Sequence, residues 1–345
     1  MTDYALLVLP AANAVYADAA PWLTRVELGV FNTAALDGRL TDIAEATLGG
    51  VPYVRFSADA LSPDDIALIS NLSSLYALFE LDGGALRPLD IKPLDRLPGD
   101  LITIQRYKGK TNPYFTKLLL NVTLLARGRP REMTSQRLTV LDPLCGRGTT
   151  LNQALMYGYD AAGMEIDAKD FDAYRSFFGT WLKDHRFKHE LDAGEVRRDR
   201  KTIGRRLHVA FAGTKQAYKS GETQTLEVIN ADSARLPDFF KSATFDAVVA
   251  DLPYGVLHES RGQTGDAARR PLEMLAESLP GWVAALRPGG AIGMAWNTKV
   301  ASRERIVEAL TRDDLELVDH GPNNPFRHTV DQSITRDLIV ARKRG

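Results

Sequence analysis

The stretch Leu141–Thr150, L-D-P-L-C-G-R-G-T-T, narrows what this chain can fold into more than any other. An apolar run, Leu138 to Leu141, stands before it. Apolar residues at helical spacing follow at Leu151, Ala154, Leu155 and Tyr157. That order predicts a strand, a glycine turn and a helix, the unit from which parallel α/β sheets are built. Such a turn leaves backbone N–H groups at the mouth of the sheet, where open α/β sheets bind ligands. Gly146 and Gly148 carry no Cβ, so the chain can pass close beneath a ligand. A phosphate loop needs Gly-Lys-Ser/Thr after its glycines, whereas Thr149 and Thr150 follow Gly148. A dinucleotide fingerprint needs a third glycine where Leu151 stands.

The chain has 345 residues, enough for two domains and a large core. Its formal charge of −1 excludes a general electrostatic attraction to nucleic acid, so any such contact needs a local basic patch. Cys145 is the single cysteine, which excludes an intrachain disulfide and favours a cytoplasmic setting. No basic region precedes the short apolar run Ala5–Leu9, and no stretch approaches the length of a membrane span. Neither a membrane partner nor a metal site is expected.

Residues 1–100 read as a small α+β domain, and residues 101–345 as the α/β domain around the glycine turn. In the first, Ala5–Leu9, Val51–Phe56 and Leu75–Leu81 are strand candidates. Thr41–Leu48 and Pro63–Leu72 read as helices, the second with Ser62 as N-cap and Pro63 at its first position. Leu86–Gly99, with Pro88, Pro93 and Pro98, reads as a linker. A loop carrying Arg106, Lys108 and Lys110 among Tyr107 and Tyr114 then leads into a helix, Leu118–Ala126. Cations interleaved with aromatic rings suit phosphate contact plus base stacking.

After the glycine turn, Ala161–Asp167 is a second strand ending in acid. An acid about 20 residues after such a turn accepts hydrogen bonds from ribose hydroxyls. Glu165 fits that position, with Asp167 the near alternative. Residues 183–219 form a basic insertion that includes Arg197, Arg198, Arg205 and Arg206. It reads either as a solvated helical hairpin or as a surface for RNA phosphates. A third strand, Leu226–Asn230, leads to Asp232 and Ser233 at a helix-opening turn. A fourth, Phe245–Ala250, ends in Asp251-Leu252-Pro253-Tyr254-Gly255. Helices at Pro271–Leu286 and Arg303–Leu310, a strand at Gly290–Trp296 and an antiparallel pair, Leu315–Asp319 with Arg336–Ala341, complete the pattern. The loop 256–270, with His258 and Arg261, reads as a substrate lid.

The first motif resembles the D-P-F-C-G-S-G-T stretch of S-adenosylmethionine (SAM) methyltransferases that modify amines, with Leu144 and Arg147 as the two differences. The tetrapeptide Asp251–Tyr254 resembles their [D/N]-P-P-[Y/F] motif, with Leu252 where proline is usual. The order of the two motifs is similar to that of the RNA methylase group (UPF0020-like) that includes tRNA guanine-N2 methyltransferases. The resemblance spans roughly residues 107–344. It implies a Rossmann-like class I SAM methyltransferase sheet preceded by the small α+β domain. It implies SAM as cofactor, held by Asp142, Pro143, Cys145, Gly146, Gly148, Thr149, Thr150, Glu165, Asp232 and Ser233, with Phe115 and Thr116 at the methionine end. Asp232 would receive the adenine amine. Cys145, in the cofactor turn, is not a nucleophile candidate.

The residue types of the tetrapeptide fit the chemistry. An NH2 on an aromatic base is a poor nucleophile, because its lone pair is delocalised into the ring. A carboxylate (Asp251) and a backbone C=O (Leu252) can accept its hydrogens and aim the lone pair at the sulfonium methyl. Pro253 stiffens the loop and Tyr254 offers a stacking face for a flipped base. The expected activity is methyl transfer to an exocyclic amine of a nucleic-acid base, guanine N2 in tRNA or other RNA ahead of DNA. The substrate contacts would be Arg197, Arg198, Arg205, Arg206, His258 and Arg261. DNA adenine-N6 methylation and a non-enzymatic SAM-responsive RNA-binding protein are the alternatives.

Overall fold

The structure is a computed structural model and describes residues 1–10, 14–107, 109–253, 271–319 and 326–345. The first unit runs β1 (Thr2–Val8), α1 (Ala14–Ala35), β2 (Thr41–Leu48), β3 (Val51–Ala58), α2 (Pro63–Ile69), β4 (Leu75–Asp82) and β5 (Ala85–Leu89). Its five strands form one antiparallel sheet in the order β2-β3-β1-β4-β5. Helix α2 starts as expected: Ser62 accepts from the Asp65 N–H while the Asp65 carboxylate accepts from the Ser62 N–H.

Thr41–Leu48, expected as a helix, is instead an outer strand. Gly49 and Gly50 follow it with φ of +59° and +80° and turn the chain directly back into β3. Hairpin pairing decides there against the helix propensity of the alanines and glutamate. The 22-residue α1, with Pro21 inside it, was not expected at all. The proline-bearing stretch after residue 85 is not wholly a linker either. Its first part is β5, an edge strand, where the lost N–H of Pro88 costs no interior ladder bond. Its remainder is strapped down: the N–H groups of Lys92, Leu94 and Arg96 donate to Ser70 Oγ, Asn71 Oδ1 and the Met156 carbonyl.

The second unit continues with α3 (Asp100–Thr103), α4 (Pro113–Leu125), β6 (Thr139–Asp142), α5 (Thr149–Met156), β7 (Asp160–Glu165), α6 (Ala168–Asp184), β8 (Lys188–Arg198), β9 (Lys201–Ala212), α7 (Lys215–Lys219), β10 (Gln224–Asn230) and β11 (Phe245–Asp251). It ends with α8 (Pro271–Ala285), β12 (Leu286–Asn297), α9 (Arg303–Leu310), β13 (Leu315–Leu317), β14 (His328–Thr329) and β15 (Thr335–Lys343). The sheet order is β13-β15-β12-β11-β6-β7-β10-β9-β8, with β14 paired to β15. Strands β10, β7, β6, β11 and β12 are parallel, and β15 enters antiparallel between β12 and β13. This is the Rossmann-like class I methyltransferase sheet expected from the sequence. From β6 the chain winds outward through β7 to β10, then returns to wind the other way through β11 and β12. The topological switch point therefore lies between β6 and β11, and the tips of those two strands open onto the ligand crevice.

The basic insertion is a β-hairpin, not a helical one: β8 and β9 pair antiparallel, and β9 pairs with β10. Alternation explains it. Leu207, Val209 and Phe211 are buried on one face of β9, a period of two that a helix cannot satisfy. The two units share one core, in which Tyr4, Leu28 and Phe31 belong with Leu118, Leu151 and Val140. A buried polar network also joins them. Glu27 of α1 accepts from the Ser73 N–H and hydroxyl and from Asn121 Nδ2 of α4, while Tyr157 donates to Asn121 Oδ1.

Candidate active site

Asp142 ends β6 and Asp251 ends β11, so both carboxylates lie at the sheet mouth by the switch point, Asp251 two residues further along than Asp142 in the strand register. Asp142 is fully buried, and burial pushes its carboxyl up to about 7. Hydrogen bonds from the Leu144 N–H and Thr150 pull the other way, and Asp251 and Glu165 add to the upward push.

The turn itself is tight for identifiable reasons. Gly146 and Gly148 have φ of +51° and +80°, a region side chains rarely adopt. A Cβ on Gly148 would also sit 2.3 Å from the ring of Tyr174. Cys145 is buried, its Sγ 2.8 Å from where a Cβ on Gly163 of β7 would lie, and burial raises its thiol well above the ordinary value. The thiol packs against β7, and its raised value disfavours the nucleophilic thiolate.

Glu165, at the tip of β7, reaches over the turn. Its Oε2 accepts from the Gly146 N–H at 2.8 Å and its Oε1 from the Asp167 N–H at 2.6 Å. Burial again pushes the carboxyl up to about 7. Asp232 begins the short 3-10 helix after β10 and accepts from the Ala234 N–H. Ser233 is buried, its hydroxyl 3.3 Å from that of Ser278. Thr149 lies 3.3 Å from the hydroxyl of Tyr107, and Arg147 stacks on the same ring, 4.8 Å from its centroid. Tyr107 thus closes over the turn.

Phe115 and Thr116 are buried at the start of α4. Thr116 bonds back to the Asn112 carbonyl, and Phe115 lies under the guanidinium of Arg336, 4.4 Å from ring centroid to Cζ. Phe115 therefore sits nearer the Asp251 end of the crevice than the glycine turn.

Asp251 Oδ2 accepts from the Thr111 hydroxyl at 2.6 Å, and Arg336 Nη2 stands 4.0 Å away. Sequence reasoning missed both partners. Thr111 had one local signal: Asn112 caps α4 with Pro113 at its first position, which fixes where the preceding loop ends. Arg336 opens a closing strand and had none. Leu252 is buried, and its N–H donates to the Ala295 carbonyl at 2.8 Å, extending the β11–β12 pairing by one residue. A proline there would lack that N–H, which gives a structural reason for the departure from the usual motif. Pro253 follows, exposed. Tyr254, His258 and Arg261, with the rest of the expected lid, lie outside the described residues.

The arginines of the insertion are not brought to this crevice as free cations. Arg197 pairs with Glu195, Arg198 with Asp238, and Arg206 with Glu227. Arg205 bonds Asp172 and Asn230 Oδ1, and the Asn230 amide donates to the carbonyls of Glu165 and Ile166.

Arg336 stands by Asp251, whereas Asp142 and Glu165, both pushed up by burial, make no ion pair among the described residues. SAM would supply a cation, through its sulfonium and ammonium groups, and its ribose hydroxyls suit Glu165. The donor set therefore fits the cofactor.

Residues 132–295 match the sequence model of the family described as UPF0020, RMKL-like, methyltransferase domain. No curated protein gives a match. Among solved structures, TrmN from Thermus thermophilus is 14% identical, with 99% of this chain and 100% of that chain covered and a TM-score of 0.45. An rRNA methylase from Streptococcus thermophilus is 10% identical, covering 69% of this chain and 100% of that chain at a TM-score of 0.37. A TehB-like SAM-dependent methyltransferase from Corynebacterium glutamicum is 13% identical, covering 61% and 83% at 0.33. Residues 132–295 are thus similar to the RMKL-like methyltransferase domain of the UPF0020 family, and the cofactor is SAM.

Proposed function

We propose that the chain transfers the methyl group of SAM to an exocyclic amine of an RNA base, with guanine N2 in tRNA as the first target to test. One observation carries the reading. Asp251, at the tip of β11 and next to the cofactor turn, has its carboxylate held by the Thr111 hydroxyl at 2.6 Å. Such a fixed acceptor is what a delocalised amine needs and what a binding protein has no use for. Motif order and the family match support RNA as the substrate class.

In this reading SAM supplies an activated methyl on a sulfonium. The chain supplies position and charge. Asp142 faces the cationic end, Glu165 accepts from ribose hydroxyls, and Asp232 receives the adenine amine. Glycines 146 and 148 let the backbone approach closely. Asp251 and the Leu252 carbonyl accept the hydrogens of the target amine, which localises its lone pair toward the methyl. Asp251 then takes up the proton released on transfer. Most of the acceleration comes from orientation and preorganised charge. The test is transfer of labelled methyl from SAM to total tRNA, rRNA and DNA, followed by nucleoside mass spectrometry. Label confined to DNA, or absent from all three, overturns the reading.

A further inference from the structure

We infer that the cavity between α1, the 103–114 segment and the β14–β15 pair receives the RNA nucleotide bearing the target base, with Arg106 contacting its phosphate. This inference rests on the RNA-methylation reading above. The cavity measures about 720 Å³, within the range that holds a nucleotide-sized ligand. Its described lining contains Arg106, Lys110 and Arg336 and no aspartate or glutamate. In a chain of formal charge −1, that concentration of positive charge is local.

The three cations differ in what they already do. Lys110 Nζ donates to the carbonyls of Ile102 at 2.7 Å and Gln105 at 2.9 Å, so it ties up its own loop. Arg336 is buried between the Phe115 ring and Asp251. Arg106 is exposed at the rim and makes no ion pair among the described residues. It is the cation placed to meet a phosphate.

The rest of the wall suits a base. Tyr114 is half-buried and backed by the buried ring of Tyr16 at 6.2 Å and 25°, and Tyr107, which carries Arg147 on its ring, adds a third aromatic side chain. Aromatic faces beside a cation are the pattern of single-stranded nucleic-acid sites. The cavity also reaches the chemistry. Thr111 and Arg336 both line it, and both face Asp251 Oδ2. Asp251 does not itself line the cavity; a base amine at the inner end passes Thr111 and Arg336 to meet its carboxylate, whose side chain is 19% exposed. The insertion arginines, by contrast, are spent on acids of this chain.

The experiment measures binding of unfractionated tRNA by fluorescence anisotropy over a salt series, and methyl-transfer kinetics on the same RNA. Arg106→Glu should weaken tRNA binding roughly fivefold or more near 0.1 M salt and reduce the log-log salt slope by about 0.7 to 0.9. It should raise KM, spare kcat, and leave SAM affinity within about twofold. Arg87→Glu, which makes the same charge change on outer strand β5, should leave tRNA binding unchanged. If Arg106→Glu matches Arg87→Glu in affinity and slope while the wild type methylates RNA, the cavity is not the RNA site and the methylation reading stands. If the wild type neither binds nor methylates tRNA or rRNA, both fail.

Discussion

The hydroxyl of Thr111 and the carboxylate of Asp251 are separated by 140 residues of chain and by 2.6 Å in space. The contact fixes one oxygen of the acid and leaves its direction set before substrate arrives, which is how a preorganised acceptor lowers a barrier. Asp251→Ala should keep SAM affinity and lose on the order of 100- to 1000-fold in single-turnover methyl transfer. Asp251→Asn should be milder, since its amide oxygen still accepts. Thr111→Val should cost roughly tenfold in kcat with little change in SAM affinity. Thr111→Ser should restore most of it. An Asp251→Ala enzyme at wild-type rate would reduce the tetrapeptide to a turn.

Asp142 and Glu165 predict how SAM affinity varies with pH. Burial holds both carboxyls up at about 7, and neither has an ion pair among the described residues. A cation or ribose donor prefers the ionised form, so binding releases protons. Affinity should therefore rise between about pH 6 and 8 and flatten above. Glu165→Gln and Asp142→Asn should weaken binding and flatten that profile. Calorimetry in two buffers of different ionisation heat measures the proton release directly; none at pH 6.5 would count against the pocket assignment.

The same two acids carry a stability consequence of opposite sense. Their folded-state values lie above the unfolded values near 4, so the folded protein holds extra protons between about pH 4 and 7. The protein without SAM should lose stability as pH rises through that window. Asp142→Asn, which keeps an acceptor for the Leu144 N–H, should be more stable than wild type at pH 8 by on the order of 1–3 kcal/mol, and about equal near pH 4. Thermal melts at the two pH values decide it.

Arg205 should act on SAM from outside the pocket. It fixes Asn230, whose amide in turn holds the Glu165 and Ile166 carbonyls. Arg205→Ala should cost roughly 1–2 kcal/mol of stability and weaken SAM binding several-fold. Arg205→Lys should recover the ion pair with Asp172 but not the paired bonds to Asn230. A variant that melts earlier yet binds SAM like wild type would confine Arg205 to the hairpin.

Glu27 tests how firmly the two units are joined. Its oxygens accept from three donors on Ser73 and Asn121, and it is fully buried. Glu27→Ala leaves those donors unsatisfied and should cost about 2–4 kcal/mol by denaturant unfolding. Glu27→Gln should fall between, because its NH2 meets a donor where the second oxygen stood.

The sequence by itself determined the α/β unit and the order of its tips. Leu138–Leu141, the two glycines and the apolar run ending in Asp251 fix strand, turn and acid locally, because strand burial and positive φ are written in adjacent residues. Glu165 was readable as the strand-end acid near the turn for the same reason. Local pattern misled where pairing decides. Thr41–Leu48 has helix formers but becomes a strand through its hairpin with β3, and the basic insertion becomes a hairpin by adding to the edge of β10. Tertiary structure alone brought Thr111 and Arg336 to Asp251, since one lies in a loop and the other opens the last strand. It also decided which arginines keep their charge available. Arg197, Arg198, Arg205 and Arg206 look like a free basic cluster in the sequence. Folding places Glu195, Asp238, Asp172 and Glu227 against them, and a cation already paired has less charge left to offer a phosphate.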